Sequence, residues 1–246
     1  MTSTTNLIPV AGTYNFRDVG GYQADGGTVR FGKLFRSDGL HSIGDAGKRK
    51  LRELGVKVVI DLRDDFEIEA APDDLDGLDV DVLNLPVFEG SGASQATIGA
   101  TIADLYAKIV LQHTDVVAKA LREIADTGDA GVVVHCTAGK DRTGIVVALA
   151  LLAVGVDRET VIADYAQTEG NLQGAWLDKM LELVAEHGVE VTPDIRVIMG
   201  GSPPEALEGV LDLIDRERGG VHKYLLDAGV DELELAKLRS VLVKPA

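Results

Sequence analysis

Cys136 and Arg142 stand six residues apart in the run His135-Cys136-Thr137-Ala138-Gly139-Lys140-Asp141-Arg142-Thr143-Gly144, which holds the only cysteine of the 246-residue chain. The apolar run Gly131-Val132-Val133-Val134 leads into the cysteine and reads as a buried strand. An Ala/Leu/Val-rich stretch of helical length, Ile145 to Ala153, follows Gly144. The thiol therefore sits where a strand ends and the guanidinium where a helix begins. A loop at such a junction turns successive backbone N–H groups inward, and the helix N-terminus adds roughly half a positive charge. A thiol at the base of such a cradle is expected to ionise easily, as thiols at helix N-termini do. Nucleophile, anion cradle and guanidinium fork within one short loop suit cleavage of a phosphate ester.

The plainer reading is a buried, inert cysteine, the usual fate of a lone Cys after a Val run. It gives no reason for Gly139, Lys140, Asp141 and Arg142 to follow directly ahead of an apolar helix, because buried charges are costly unless paired or used. The reactive reading is therefore preferred.

At these residues the chain resembles a known family. His-Cys-x5-Arg-Thr is similar to the signature loop of cysteine-dependent phosphatases. The fuller His-Cys-x-x-Gly-Lys-Asp-Arg-Thr-Gly resembles the bacterial tyrosine/serine protein phosphatase family, which includes dual- and triple-specificity enzymes. Asn15-Phe16-Arg17-Asp18, Leu34-Phe35-Arg36-Ser37, Val59-Ile60-Asp61-Leu62-Arg63 with Glu67, and Tyr224-Leu225-Leu226-Asp227-Ala228-Gly229 match in order. The resemblance runs from about residue 12 to about residue 243. It implies a phosphoric monoester hydrolase of the protein tyrosine phosphatase type, with breadth toward Ser/Thr and phosphoinositide substrates and inorganic phosphate as product.

Within that chemistry Cys136 attacks phosphorus and forms a phosphocysteine intermediate, which water hydrolyses. Arg142 holds two phosphoryl oxygens in a bidentate grip. The N–H groups of Thr137, Ala138, Gly139, Lys140, Asp141 and Arg142 complete the phosphate site. Thr143 offers a hydroxyl to the departing sulfur, and His135 orders the loop rather than acting as a base. For the general acid the resemblance favours Asp141, inside the loop, with Asp61 at a strand end as the alternative or a supporting group. Lys140 resembles a lysine of inositol-lipid phosphatases that meets additional phosphates. Arg17, Asp18, Arg63 and Glu67 read as structural support. No metal or cofactor is expected, since the five histidines are scattered without ligand spacing.

Three rivals remain: a phosphoinositide-preferring phosphatase, a sulfurtransferase, whose cysteine loop is shorter, and an inactive phosphate-binding module. The last is disfavoured because Cys136, Arg142 and Thr143 are all present.

The net charge of −16 argues against nucleic acid or an anionic membrane as a partner. Anionic substrates then need a local positive field, from Arg142, Lys140 and the loop dipoles, with Arg63 or Arg17 as further sources. No apolar run reaches the ~18–20 residues of a membrane span. Met1 to Leu7 lacks the basic-then-apolar pattern of a signal peptide. A cytoplasmic protein is expected, with signal-independent export left open.

The elements that must position the loop follow from patterning. The whole chain, 1–246, reads as one α/β domain of cysteine-phosphatase type. A central, mostly parallel sheet is flanked by helices and followed by a helical C-terminal third. Gly32-Lys33 between two β-favouring runs predicts a hairpin. Helices are expected at 45–54, 64–71, 98–111, 115–127 and 143–154, strands at 56–62 and 80–85, and a loop at 89–96. Everything after Asp157 reads helical, with breaks that include Gly170 and Gly188. Residues 171–204 align with a segment that covers the site in a family member, which implies a helical lid there, while their Leu/Val/Met spacing suits ordinary core packing equally. With a single cysteine, oxidative protection would rest on such cover or on adducts of Cys136 itself.

Overall fold

The computed structural model describes residues 6–87, 101–186 and 188–246. The expected loop at 89–96 and the start of the helix expected at 98–111 lie outside them.

A five-stranded sheet is built from β1 (Arg17–Asp18), β4 (Leu34–Ser37), β5 (Val56–Asp61), β6 (Asp81–Asn84) and β7 (Gly131–His135). Its order is β1-β4-β7-β5-β6. The β4–β7, β7–β5 and β5–β6 pairs are parallel and β1–β4 is antiparallel, as the α/β reading requires. β7 is central and fully buried. Its side chains alternate between the faces, with Val132 and Val134 in one apolar cluster and Val133 in the other.

One face is covered by α1 (Gly44–Glu53), whose Leu51 joins Phe16, Phe35, Leu40 and Ile43. The other is covered by α3 (Ile102–Gln112), α4 (Thr114–Asp126), α5 (Asp141–Ala153), α9 (Pro204–Arg218), α10 (Val221–Asp227) and α11 (Glu232–Leu242). α5 is buried on all sides from Arg142 to Leu151, which is why it is apolar without a polar face. Between β5 and β6 lies α2 (Asp65–Ala70), opened by a reciprocal capping box between Asp64 and Glu67. α6 (Arg158–Leu172), α7 (Ala175–Glu186) and α8 (Pro193–Gly200) follow α5.

Three expectations need correction. The Gly32-Lys33 hairpin does not form, because both edges of β4 are taken by β1 and β7. β3 (Gly27–Val29) instead lies in a second sheet between β2 (Gln23–Ala24) and β8 (Val243–Pro245). The hairpin in this region turns at Asp25-Gly26, a stronger turn signal than Gly-Lys. β8 also means that the C-terminal third is not wholly helical. Finally, α6 runs through Gly170, where a side chain would meet open space, and ends at Leu172.

Candidate active site

Cys136 is the first residue beyond the C-terminal end of β7, the end at which open α/β sheets place their ligands. It is 2% exposed. The helix that follows begins at Asp141, two residues earlier than its expected start at 143, so Asp141 and Arg142 both occupy the first turn of α5. The loop between is pressed against the end of β4. Gly139 has φ +63, and a Cβ on it would lie 2.1 Å from the Ser37 carbonyl oxygen, so only glycine fits.

The loop's outward carbonyls are gripped from behind. The Asn15 amide donates to the carbonyls of Ala138 and Gly139, both at 3.2 Å. Arg36 donates to the Gly139 carbonyl at 2.9 Å. Asp38 accepts from the backbone N–H groups of Tyr14 and Asn15. Its burial pushes its carboxyl up to about 6. Arg17 donates to Asp164, to the Asn15 side chain and to the Thr168 hydroxyl, and Arg36 meets Asp164 at 2.6 Å. Asn15, Arg36 and Asp164 were given no role from the sequence alone. Asn15 and Arg36 lie in two of the segments that match the family in order, which was the available signal. Asp164 had none.

Arg142 is fixed by Glu67. Its Nη1 and Nη2 donate to the two carboxylate oxygens at 2.5 and 2.7 Å, and Nη1 also reaches the Leu62 carbonyl at 3.3 Å. Burial works against this charge, but Glu67 and the neighbouring Cys136 hold the guanidinium's pKa above its ordinary value. Glu67 is held below the usual range, because Arg142 outweighs the burial that favours its neutral form. The Thr137 hydroxyl also donates to Glu67, at 2.5 Å. Glu67 thus clamps both ends of the cradle.

His135 is wholly buried, with Nδ1 at 3.3 Å from the Cys136 carbonyl oxygen and Nε2 at 3.0 Å from Asp73. A carboxylate this close to the ring suits the imidazolium. Burial disfavours that charge, but Asp73 and Asp61 raise the pKa above its ordinary value. Arg63 clamps Asp61 through Nε and Nη2 and also meets Asp73 at 2.9 Å. Asp61 is therefore held in an ion-pair cluster beneath the loop. Asp73, which closes that cluster, carried no sequence signal. Asp61, Asp73 and His135 could together offer three ligand atoms to a metal, but Arg63 already pairs with both carboxylates.

Asp141 stands differently. Its side chain keeps 21% exposure, and its Oδ1 accepts from the Tyr106 hydroxyl at 2.8 Å with Lys140 Nζ at 3.0 Å. The Thr143 hydroxyl is buried and makes no hydrogen bond among the described residues.

Lys140, expected to meet additional phosphates, is turned to α8 in this structure. Its buried ammonium donates to the carbonyls of Ile198 and Gly201, at 2.9 and 2.8 Å, at the C-terminal end of α8. Cations are favoured there by the helix dipole and the terminal carbonyls. Arg17 and Arg63 are likewise neutralised by Asp164 and by the Asp61–Asp73 pair. The loop N–H groups and the α5 N-terminus then add to the field of Arg142, which Glu67 pairs in turn. Around this loop, Trp176, Leu177 and Leu181 of α7 cluster with Leu172 and with Ala138 of the cradle itself.

Residues 8–244 match the family model described as the tyrosine phosphatase family. The chain is 31% identical to the triple specificity protein phosphatase PtpB of Mycobacterium tuberculosis, over 94% of this chain and 97% of that protein. It is 30% identical to a putative tyrosine-protein phosphatase of Cupriavidus necator, over 92% of this chain and 84% of that one. A tyrosine-protein phosphatase of Nostoc commune is also 30% identical, over 83% of this chain and 72% of its own length. With a thiol at a strand end, a guanidinium in the first turn of the next helix and a glycine-tight loop between them, the chain belongs to the tyrosine phosphatase family.

Proposed function

We propose that this chain is a protein tyrosine phosphatase of broad specificity, acting on phosphotyrosine and on phosphoserine/threonine through a phosphocysteine intermediate. The carrying observation is the cradle itself, with Cys136 at its base and Arg142 oriented by Glu67 in the first turn of α5. In the first step the Cys136 thiolate attacks phosphorus and the bond to the leaving oxygen breaks. Arg142 and the N–H groups from Thr137 to Arg142 receive the phosphoryl oxygens. The Asp141 carboxyl protonates the leaving oxygen. Asp141 is preferred over Asp61 because it keeps access to solvent, whereas both Asp61 carboxylate oxygens are bound by the Arg63 guanidinium. In the second step Asp141 takes a proton from water as it attacks, the Thr143 hydroxyl supports the departing sulfur, and inorganic phosphate is released.

Phosphoinositide turnover is a secondary activity in this reading, since Lys140 must first leave the α8 carbonyls before it can meet an additional phosphate. None of the helices among the described residues is long and apolar enough to cross a membrane. The reading places the enzyme in the cytoplasm, where its one thiol stays reduced.

The test is a turnover panel of phosphotyrosine, phosphoserine and phosphothreonine peptides and phosphoinositide, with an aryl phosphate as reference. Phosphate release lost in Cys136→Ser and fastest on phosphotyrosine is the expected result. Release that survives in Cys136→Ser would refute the cysteine mechanism. Asp141→Asn should slow a poor leaving group far more than a good one, and Asp61→Asn should slow both alike.

A further inference from the structure

Gly144 closes the signature loop and takes no part in the steps above. A Cβ at this position would lie 3.0 Å from the Tyr165 ring and 3.4 Å from Arg36 Nη2. The glycine therefore lets the Tyr165 ring, carried by α6, lie against the first turn of α5. That packing brings the Tyr165 hydroxyl to 2.6 Å from the hydroxyl of Tyr106, on α3. The two rings meet edge to face, 6.2 Å between centroids at 83°. Tyr106 in turn donates to Asp141 Oδ1 at 2.8 Å. A phenol has one proton to give, and Tyr106 spends it on Asp141, so Tyr165 is the donor between the two tyrosines. The result is a directed chain, Tyr165 to Tyr106 to Asp141, assembled from three helices.

Both phenols are buried, and burial followed by the nearby Asp141 charge raises their pKa values well above the ordinary range. They stay protonated as donors throughout the working pH range. Among the described residues the contacts of Asp141, from Tyr106 and from Lys140, both fall on Oδ1. Oδ1 is committed to accepting, so the transferable proton belongs on Oδ2.

We propose that Tyr106, backed by Tyr165, is a positioning residue for the proton-transfer step. It fixes the Asp141 carboxyl with Oδ2 turned to the leaving oxygen and stabilises the carboxylate that forms there. This rests on the reading of Asp141 as the general acid. As the Cys136 electron pair forms the S–P bond, the P–O pair goes to the leaving oxygen, which takes the Oδ2 proton. Tyr106 keeps its own proton. Its hydrogen bond is neutral before the transfer and charge-assisted after it, so it is stronger in the transition state than in the ground state.

The experiment compares kcat/KM, which reports the first step, on phenyl phosphate and on dinitrophenyl phosphate, whose leaving group needs no proton. Tyr106→Phe should lower the phenyl phosphate value on the order of tenfold and leave the dinitrophenyl phosphate value within about twofold. Tyr165→Phe keeps the Tyr106–Asp141 bond and should show the same selectivity with a smaller loss, about threefold. It also carries the test if Tyr106→Phe fails to fold, as judged by its melting curve. Asp141→Asn is measured alongside. If Asp141→Asn is selective for phenyl phosphate and neither tyrosine variant is, the acid assignment stands and the tyrosine role falls. If Asp141→Asn lowers both substrates alike, the acid assignment fails and this inference falls with it. An equal loss on both substrates in the tyrosine variants would reduce them to structural packing and overturn the proposal.

Discussion

Arg142 can grip a phosphoryl group only while something else fixes its plane, and at the scale of single residues that is the task of Glu67. The sequence showed both residues, Glu67 only as structural support. It did not show which cation Glu67 would meet, because the pairing spans 75 residues and depends on α2 docking beside the loop. The capping box that starts α2 uses the Glu67 carboxylate as well, so one side chain begins a helix and aims the guanidinium. Glu67→Gln places an amide N–H against the guanidinium and loses a hydrogen bond between charges. It should lower kcat/KM on the order of tenfold to a hundredfold. The loss should be equal for good and poor leaving groups, because every substrate presents the same phosphoryl oxygens. Steady-state kinetics on two aryl phosphates checks this and separates Glu67 from Asp141. His135 makes a second test. Its pKa in the folded protein lies above the ordinary 6.5, with burial opposed and outweighed by Asp73. The folded state therefore binds the proton more tightly than the unfolded chain. The stabilisation is complete below pH 6.5 and fades as pH rises through the raised value. Urea unfolding of the wild type against His135→Gln should show a stability gap that is constant in acid and narrows on the alkaline side.

Among the elements, α7 and α8 are the pair whose placement most changes how the loop is understood. The helical character of 171–204 was expected because apolar spacing is a local signal, and a place over the site only from the family resemblance. What anchors them was not. Trp176 and its apolar neighbours bear on Ala138, and Lys140 holds the C-terminal carbonyls of α8. A lysine side chain reaching a helix end some 60 residues later has no trace in local pattern. The same limit explains the hairpin misplaced at Gly32-Lys33, since strand pairing was settled by β8 from the far C-terminus. Cys136 itself is almost wholly covered. Trp176→Ala removes the apolar anchor, and Lys140→Met keeps the stem but not the donors. Each should raise the rate at which iodoacetamide alkylates Cys136, on the order of tenfold for the tryptophan. The double variant should exceed either. Mass-spectrometric timing of the adduct measures this, and unchanged rates would mean that the helices do not gate the thiol.

Across the whole molecule the acidic balance of −16 conceals how the cations are spent. Arg17, Arg36, Arg63 and Lys140 are buried around the site, and Asp164, the Asp61–Asp73 pair and the α8 carbonyls engage them. The α/β class and the helical layers were legible because Val-rich strands alternate with helices, a pattern that local periodicity carries, whereas the strand order was not. The network that joins β1, β4 and α6 was not, because Asp164 reads as one more acid on a helix. Yet it bridges the N-terminal strand to α6, and through Arg36 it holds the Gly139 carbonyl. Burial disfavours the Asp164 charge, but Arg17 and Arg36 outweigh it and hold the carboxyl at about 2. Arg17 is itself lowered to about 10, first by burial and then by Arg36. Asp164→Asn would leave two buried guanidinium groups facing each other without a counter-charge. Removing one member of a buried ion cluster costs about 3–5 kcal/mol, so the melting temperature should fall by many degrees and activity with it. A carboxyl depressed in the folded state contributes its full stabilisation above the ordinary 3.8 and loses it as pH falls through about 2. The wild-type advantage over Asp164→Asn should thus be flat above about pH 4 and shrink steadily in stronger acid. An advantage that stayed constant into acid would show that Asp164 acts by packing rather than by charge.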